Sequence, residues 1–108
     1  MTKICHVSSV HPSKDIRIFY KECKSLAIAG YDVYLVARGE SFEEDGVRVF
    51  GIDNMPKGRI KRILFGAKKA YIRALQVDAE LYHLHDPELL PYAIKLKKQG
   101  KKVIFDSH

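Results

Sequence analysis

The chain has 108 residues, of which 46% are hydrophobic and 30% charged, and its formal net charge is +6. This length fits one domain with a single core. No run of about 18 apolar residues is present, which excludes a membrane-spanning helix, and the first residues lack the apolar stretch of a signal peptide, so we expect a cytoplasmic protein. The basic charge favours an anionic partner: a nucleic acid, a membrane surface or a phosphorylated substrate.

The first half of the chain is predicted to contain three strands, at residues 3–8, 32–37 and 46–52. A helix is expected between the first two, from Asp15, a good N-cap, to about Ala29, with Gly30 directly after its end. Residues 40–45 are predicted to form an acidic turn. The alternation of polar and apolar residues in the third strand is typical of a strand near a sheet edge.

The second half is predicted to contain a helix at residues 59–77, a strand at 80–85, a second helix at 86–100 and a final strand at 102–106. Asp86, Pro87 and Glu88 open the second of these helices with an acidic cap and a proline at its first position, and Gly100 ends it. Strands that alternate with helices indicate an α/β fold. We therefore predict an open, parallel, Rossmann-like sheet with helices on both faces.

The helix at residues 59–77 is predicted to be amphipathic. Its apolar stripe is expected to pack on the sheet and consists of Ile60, Ile63, Leu64, Ala67, Tyr71, Ala74 and Leu75. The opposite face is basic, and no acidic residue occurs from Asn54 to Val77. Because an exposed basic face attracts anionic headgroups, we expect Arg62, Lys69 and Arg73 to face a membrane or another anion.

Polar residues follow most of the predicted strands. These strand ends are Ser8-Ser9, Ala37-Arg38, Ile52-Asp53, His85-Asp86 and Asp106-Ser107-His108. Ligands of open α/β sheets bind in the crevice outside the carboxyl ends of the strands, so these residues form the candidate site. Two of the five histidines, His85 and His108, lie at such ends.

The loop after the first strand lacks the glycines of a dinucleotide-binding turn or of a P-loop, which argues against a tightly bound nucleotide there. Its serines also argue against a phospho-receiver domain, which carries acids at this point. Cys5 and Cys23 have neither redox nor zinc spacing, and we expect both to be buried free thiols.

The segment from His83 to Glu88 has three open interpretations. His83 and His85 share a strand face, and together with Asp86 and Glu88 they could hold a metal ion. Capping of the following helix accounts for the acids equally well. A site in which His85 or Asp86 bonds sugar hydroxyls is the interpretation we favour over a metal.

Arg17 and Lys21 are four residues apart near the start of the first helix and point from one face. They could bind an anion together with the helix N-terminus, or form ion pairs with Asp15 and Glu22.

Three segments together resemble the N-terminal domain of a retaining, two-domain glycosyltransferase of the GT-B fold, glycosyltransferase family 4. They are residues 7–33 (VSSVHPSKDIRIFYKECKSLAIAGYDV), residues 82–91 (YHLHDPELLP) and residues 105–108 (FDSH). No single segment is diagnostic, but their order and spacing make the resemblance specific, and it extends over essentially the whole chain.

The resemblance implies a division of labour between two domains. The N-terminal domain binds a glycan or lipid-linked acceptor, and a C-terminal domain, absent from this chain, binds most of the nucleotide-sugar donor, with no required metal or cofactor. His108 matches a histidine near the reactive sugar carbon, and His85 and Asp86 match a segment that lines the same cleft. Arg17 and Lys21 are weaker matches that face acceptor or pyrophosphate.

The first loop departs from the family. Many members carry glycines where this chain has Ser9, Val10 and His11, and we include Ser9 and His11 among the candidate acceptor-binding residues. The predicted function is sugar transfer in surface polysaccharide biosynthesis, at the inner face of a membrane. The alternative is a free-standing acceptor-binding or membrane-docking subunit that needs a separate donor-binding partner. A nucleic-acid partner is not expected, because the stacking aromatics of single-strand binders are lacking.

Overall fold

Strands and helices alternate along the residues described by a computed structural model, which are 2–8, 13–52 and 58–106, without the side chains of residues 13–19 and of Arg62. The strands are β1 (Lys3–Val7), β2 (Asp32–Arg38), β3 (Phe42–Glu44), β4 (Val47–Ile52), β5 (Leu81–Leu84) and β6 (Lys102–Phe105). The helices are α1 (Ser13–Ile28), α2 (Arg59–Val77) and α3 (Leu90–Lys98), the last preceded by a 3-10 turn at Pro87–Leu89.

The strands form one sheet in the order β3-β4-β2-β1-β5-β6. The pairs β4–β2, β2–β1, β1–β5 and β5–β6 are parallel, and β3 is antiparallel to β4. The chain adds strands on one side of β1 and then, through α2, on the other side. The strand order therefore reverses between β1 and β5, which is where α/β sheets of this kind place their ligands.

The predicted parallel sheet is confirmed for four of the five strand pairs, and the antiparallel edge strand β3 makes the sheet mixed. The predicted acidic turn contains the short strand β3, and β4 lies one position inside the edge. To reach the outer side of β4, the chain crosses the end of that strand at Gly51. There the Gly51 N–H donates to Ser41 Oγ at 2.8 Å, and the Gly39 N–H donates to the Ile52 carbonyl at 3.3 Å.

Helices cover both faces of the sheet, as predicted. One face packs against α1, in a cluster of buried residues made of Cys23, Val33, Leu35, Ala37, Val47 and Val49. The other face packs against α2 and α3 through a larger cluster that includes Cys5, Val36, Ala70, Tyr82, Leu84 and Leu96. Cys5 and Cys23 are buried free thiols, which confirms their predicted state.

Two helix ends lie where glycine predicted them. After α1, the Gly30 N–H donates to the Ala27 carbonyl, and the next N–H, of Tyr31, reaches back to Leu26. Gly100 ends α3 with the same pair of bonds and has a φ of 82°. This Schellman arrangement needs the left-handed backbone that glycine adopts without a steric penalty.

The buried face of α2 differs from the predicted stripe. Its buried residues are mainly small ones, Ala67, Ala70, Ala74 and Val77. Most of the large apolar residues of the stripe point outward instead, namely Ile60, Ile63, Leu64 and Leu75, and Tyr71 is half-buried. Small side chains let the helix backbone approach the sheet closely, so alanines form the contact and bulky residues are left at the surface. Within residues 2–8, 13–52 and 58–106, none of the helices combines the length and the apolar composition that a bilayer span requires.

Candidate functional site

Polar side chains are buried where the strand order reverses. Ser8 follows β1, and His85 and Asp86 follow β5, and each of the three is at most 1% exposed. The backbone holds them in place, because the Ser8 N–H donates to the Val36 carbonyl at 2.8 Å and the His85 N–H donates to the Val7 carbonyl at 3.1 Å. The carboxyl ends of the two central strands thus present buried polar groups at the position where this fold class binds ligands.

Asp86 lies at the predicted N-cap position, but its side chain does not cap the turn that follows. The residue precedes the 3-10 turn with an extended backbone, and its side chain makes no capping hydrogen bond to that turn. The turn is instead started by Pro87, and α3 begins only at Leu90. Capping therefore does not account for a carboxylate at this buried position.

Three imidazole rings pack together beneath the strand ends. His6 of β1 is the register partner of His83 of β5, and their ring centroids are 4.7 Å apart. His83 and His85 are stacked at 4.2 Å, which confirms that they share a face. His6 Nδ1 and His85 Nε2 are 2.8 Å apart, so one ring donates its N–H to the other.

Burial keeps His6 in its neutral form. The residue is 2% exposed, and this burial, assisted by the charge of neighbouring His83, lowers the pKa of His6 to about 4. Its Nε2 is buried and has no hydrogen-bond partner among the described residues. An unsatisfied buried polar atom costs roughly 1–3 kcal/mol, so the ring is held here at the expense of stability.

Glu22 of α1 completes a group of four side chains with His6, His83 and His85. One possible ligand atom from each lies within 4.8 Å of every other. A groove of about 450 Å³ between α1 and the sheet is lined by His6, Glu22 and His83 and opens to solvent. The sequence had suggested a different metal set, with Asp86 and Glu88 beside the two histidines of β5. Neither acid belongs to the group that the structure forms.

The predicted basic residues are spread over the surface rather than gathered at the crevice. Lys21 is exposed on α1, eight residues and about 12 Å beyond the first residue of the helix. Lys69 and Arg73 are half-buried beside Gly51 at the end of β4, where the Arg73 guanidinium lies 4.6 Å from the centre of the Phe50 ring. Their assignment to an anion stays a prediction.

Several predicted site residues lie outside the described part of the chain. Ser9, His11 and His108 are not described, and Arg17 and Arg62 are described only as backbone positions within α1 and α2. Their assigned roles stay predictions.

Sequence reasoning missed His6 and Glu22. A signal for His6 was available, because it is a histidine within a strand between the apolar residues Cys5 and Val7. Its contact with His83 and His85 depends on β1 and β5 being adjacent, which only the strand order establishes. Glu22 reads as an ordinary surface acid on a helix, and we see no sequence signal that singles it out.

No family model and no curated protein matches this chain.

Proposed function

We propose that this chain is the acceptor-binding domain of a retaining glycosyltransferase that uses a nucleotide-sugar donor. The observation that supports this most is the burial of Asp86 and His85 at the carboxyl ends of the central strands, where the strand order reverses. The resemblance to family 4 glycosyltransferases agrees with it, since the matching segments include this same His-Asp pair.

The chemistry of the pair suits a sugar. A carboxylate accepts hydrogen bonds from two vicinal hydroxyls, and a neutral imidazole offers one donor and one acceptor. A buried carboxylate makes stronger hydrogen bonds than an exposed one, because water does not compete for its oxygens. In this proposal the Asp86 carboxylate orients the acceptor. The adjacent His85 supports Asp86 in this role and is itself held in place by its hydrogen bond to His6.

Transfer itself needs a second half of the cleft. The departing diphosphate must be stabilised by positive charge or N–H donors, and water must be excluded from the reacting sugar carbon. In this proposal a donor-binding domain supplies most of these groups, and His108 lies near the reacting carbon.

We expect Asp86→Asn in the full-length gene product to raise the acceptor KM at least about tenfold, the effect of losing roughly 1.4 kcal/mol of binding. The amide keeps the shape of the carboxylate, so the fold should be retained. The measurement is the initial rate of labelled-sugar transfer at several acceptor concentrations. Asp78→Asn is the matched control, because Asp78 is exposed at the amino-terminal side of β5 and should leave the rate unchanged. An unchanged KM in Asp86→Asn would remove the assigned role.

A second part of the proposal places the domain at an anionic membrane surface. The first turns of α2 expose large apolar side chains, with Ile60 73%, Leu64 62% and Phe65 51% exposed, and the exposed basic residues Arg59, Lys61 and Lys68 flank them in sequence. Because α2 follows β4, these turns start at the same edge of the sheet as the crevice. Apolar side chains flanked by cations are typical of elements that lie in the headgroup region. The domain would then bind a lipid-linked acceptor at the membrane surface in which that acceptor is anchored.

We expect the protein to sediment with vesicles that contain phosphatidylserine or phosphatidylglycerol, and less with purely zwitterionic vesicles. The double variant Leu64→Ser and Phe65→Ser should lower the partition coefficient at least about tenfold, since each buried large apolar side chain contributes roughly 1.5–3 kcal/mol. Ile28→Ser is the control, because Ile28 is equally apolar and 77% exposed but lies at the far end of α1. Equal loss in both variants would contradict a docking role for α2.

A further inference from the structure

We propose that His6, His83, His85 and Glu22 form a Zn²⁺ site that ties helix α1 to strands β1 and β5. The proposed transfer reaction needs no metal, and this site shares only His85 with the proposed acceptor site. It lies on the α1 face of the sheet, beneath the strand ends rather than in the crevice above them.

The donor set selects the metal. Three imidazole nitrogens and one carboxylate oxygen suit Zn²⁺, whereas Mg²⁺ and Ca²⁺ prefer oxygen ligands throughout. Four protein ligands would close the coordination sphere, which is the arrangement of a structural zinc site rather than of a catalytic one with an open position.

The distances are compatible with coordination after small side-chain movements. Ligand atoms at about 2.0–2.1 Å from a tetrahedral Zn²⁺ are about 3.3 Å from one another. In the structure one possible ligand atom from each of the four side chains lies within 4.8 Å of every other, so the more distant atoms must move closer together. The rings are stacked, so they must rotate to aim at a common point, and the terminal torsion of histidine is broad enough to allow this.

Burial supports a ligand at this position independently of the distances. His6 is 2% exposed, and its Nε2 has no hydrogen-bond partner among the described residues. The groove between α1 and the sheet reaches His6 and His83 from solvent and provides the route by which a hydrated ion would arrive. Glu22 lies on the solvent side of the group, where its carboxylate would close the site and offset the charge of the metal.

The test is titration of tag-free, EDTA-treated protein with Zn²⁺ by calorimetry, and with Co²⁺ by visible absorption. We expect one ion per chain with a Kd below about 10 μM, tetrahedral Co²⁺ bands, and a rise in Tm of roughly 10 °C at saturating Zn²⁺. His83→Gln should weaken binding at least about 100-fold and Glu22→Gln about tenfold. Both positions reach solvent, so neither change should unfold the protein.

Glu80→Gln is the matched control, since Glu80 is an exposed acid outside the group and should leave the Kd unchanged. Absence of Co²⁺ bands with a Kd above about 1 mM would overturn the proposal. Binding that is equally tight in folded His83→Gln would overturn it as well, because the ion would then be held elsewhere.

Discussion

Gly51→Ala is expected to lower the free energy of unfolding by about 3 kcal/mol or more, the upper range for overpacking. A methyl group built at this glycine overlaps the backbone of Gly39 and Glu40, where the chain crosses β4 on its way to β3. The two backbone segments cannot move apart easily, because they are joined by two hydrogen bonds: Gly51 N–H donates to Ser41 Oγ, and Gly39 N–H donates to the Ile52 carbonyl. The methyl group would therefore separate β3 from β4 or bend the end of β4.

The measurement is urea unfolding followed by circular dichroism. Gly100→Ala is the control, because Gly100 has a left-handed backbone but open space around it. That change should lower the free energy of unfolding by only about 1 kcal/mol, through backbone strain alone. Equal losses in the two variants would show that the crossing at Gly51 is looser than the structure describes.

Acidification from pH 7 to pH 4 is expected to remove about 3 kcal/mol of stability through His6 alone. Burial lowers the pKa of His6 to about 4 in the folded protein, against about 6.5 in an unfolded chain. Between these values the unfolded state binds a proton that the folded state does not, so stability falls as the pH falls. The difference of about 2.5 pKa units, at 1.36 kcal/mol each, corresponds to about 3.4 kcal/mol in full, of which about 3 kcal/mol is lost by pH 4.

The loss should be nearly absent above pH 7, reach about 3 kcal/mol at pH 4 and level off only below pH 4. The measurement is urea unfolding in EDTA-containing buffer at several pH values, for the wild type and for His6→Asn. The asparagine does not titrate, so the variant should lose about 3 kcal/mol less than the wild type over the same interval. Parallel pH profiles for the two proteins would contradict the assignment to His6.

The order of elements could be predicted from local patterns. The helix ends at Gly30 and Gly100 depend on the backbone freedom of a single residue, so they are visible in the sequence. The alternation of strands and helices indicates helices on both faces of the sheet. Strand β3 could not be predicted this way, because Phe42–Glu44 is short, acidic and exposed and has no apolar alternation. Its place in the sheet comes from pairing with β4.

Only those residues of the candidate site that follow a single strand could be predicted from the sequence. His85 and Asp86 are adjacent in sequence, and the carboxyl-end rule for parallel sheets indicated them directly. The contact between His6 and His85 joins residues 79 positions apart and exists because β1 and β5 are neighbours. The outward-facing apolar residues of α2 were missed for a related reason. The 3.6-residue period identifies an apolar stripe, but it does not show which residues of the stripe are buried. Because the helix packs closely on the sheet, alanines form the buried contact and the larger residues stay exposed.

Sugar transfer by the full-length gene product is the decisive measurement for the proposed function. The protein is incubated with a panel of labelled nucleotide-sugars and detergent-extracted lipid-linked glycans, and the product's anomeric configuration is determined. We expect transfer from one donor with retention of configuration, at a rate that Asp86→Asn lowers at subsaturating acceptor and Asp78→Asn does not. A folded, full-length protein that transfers no sugar from any donor of the panel would contradict it.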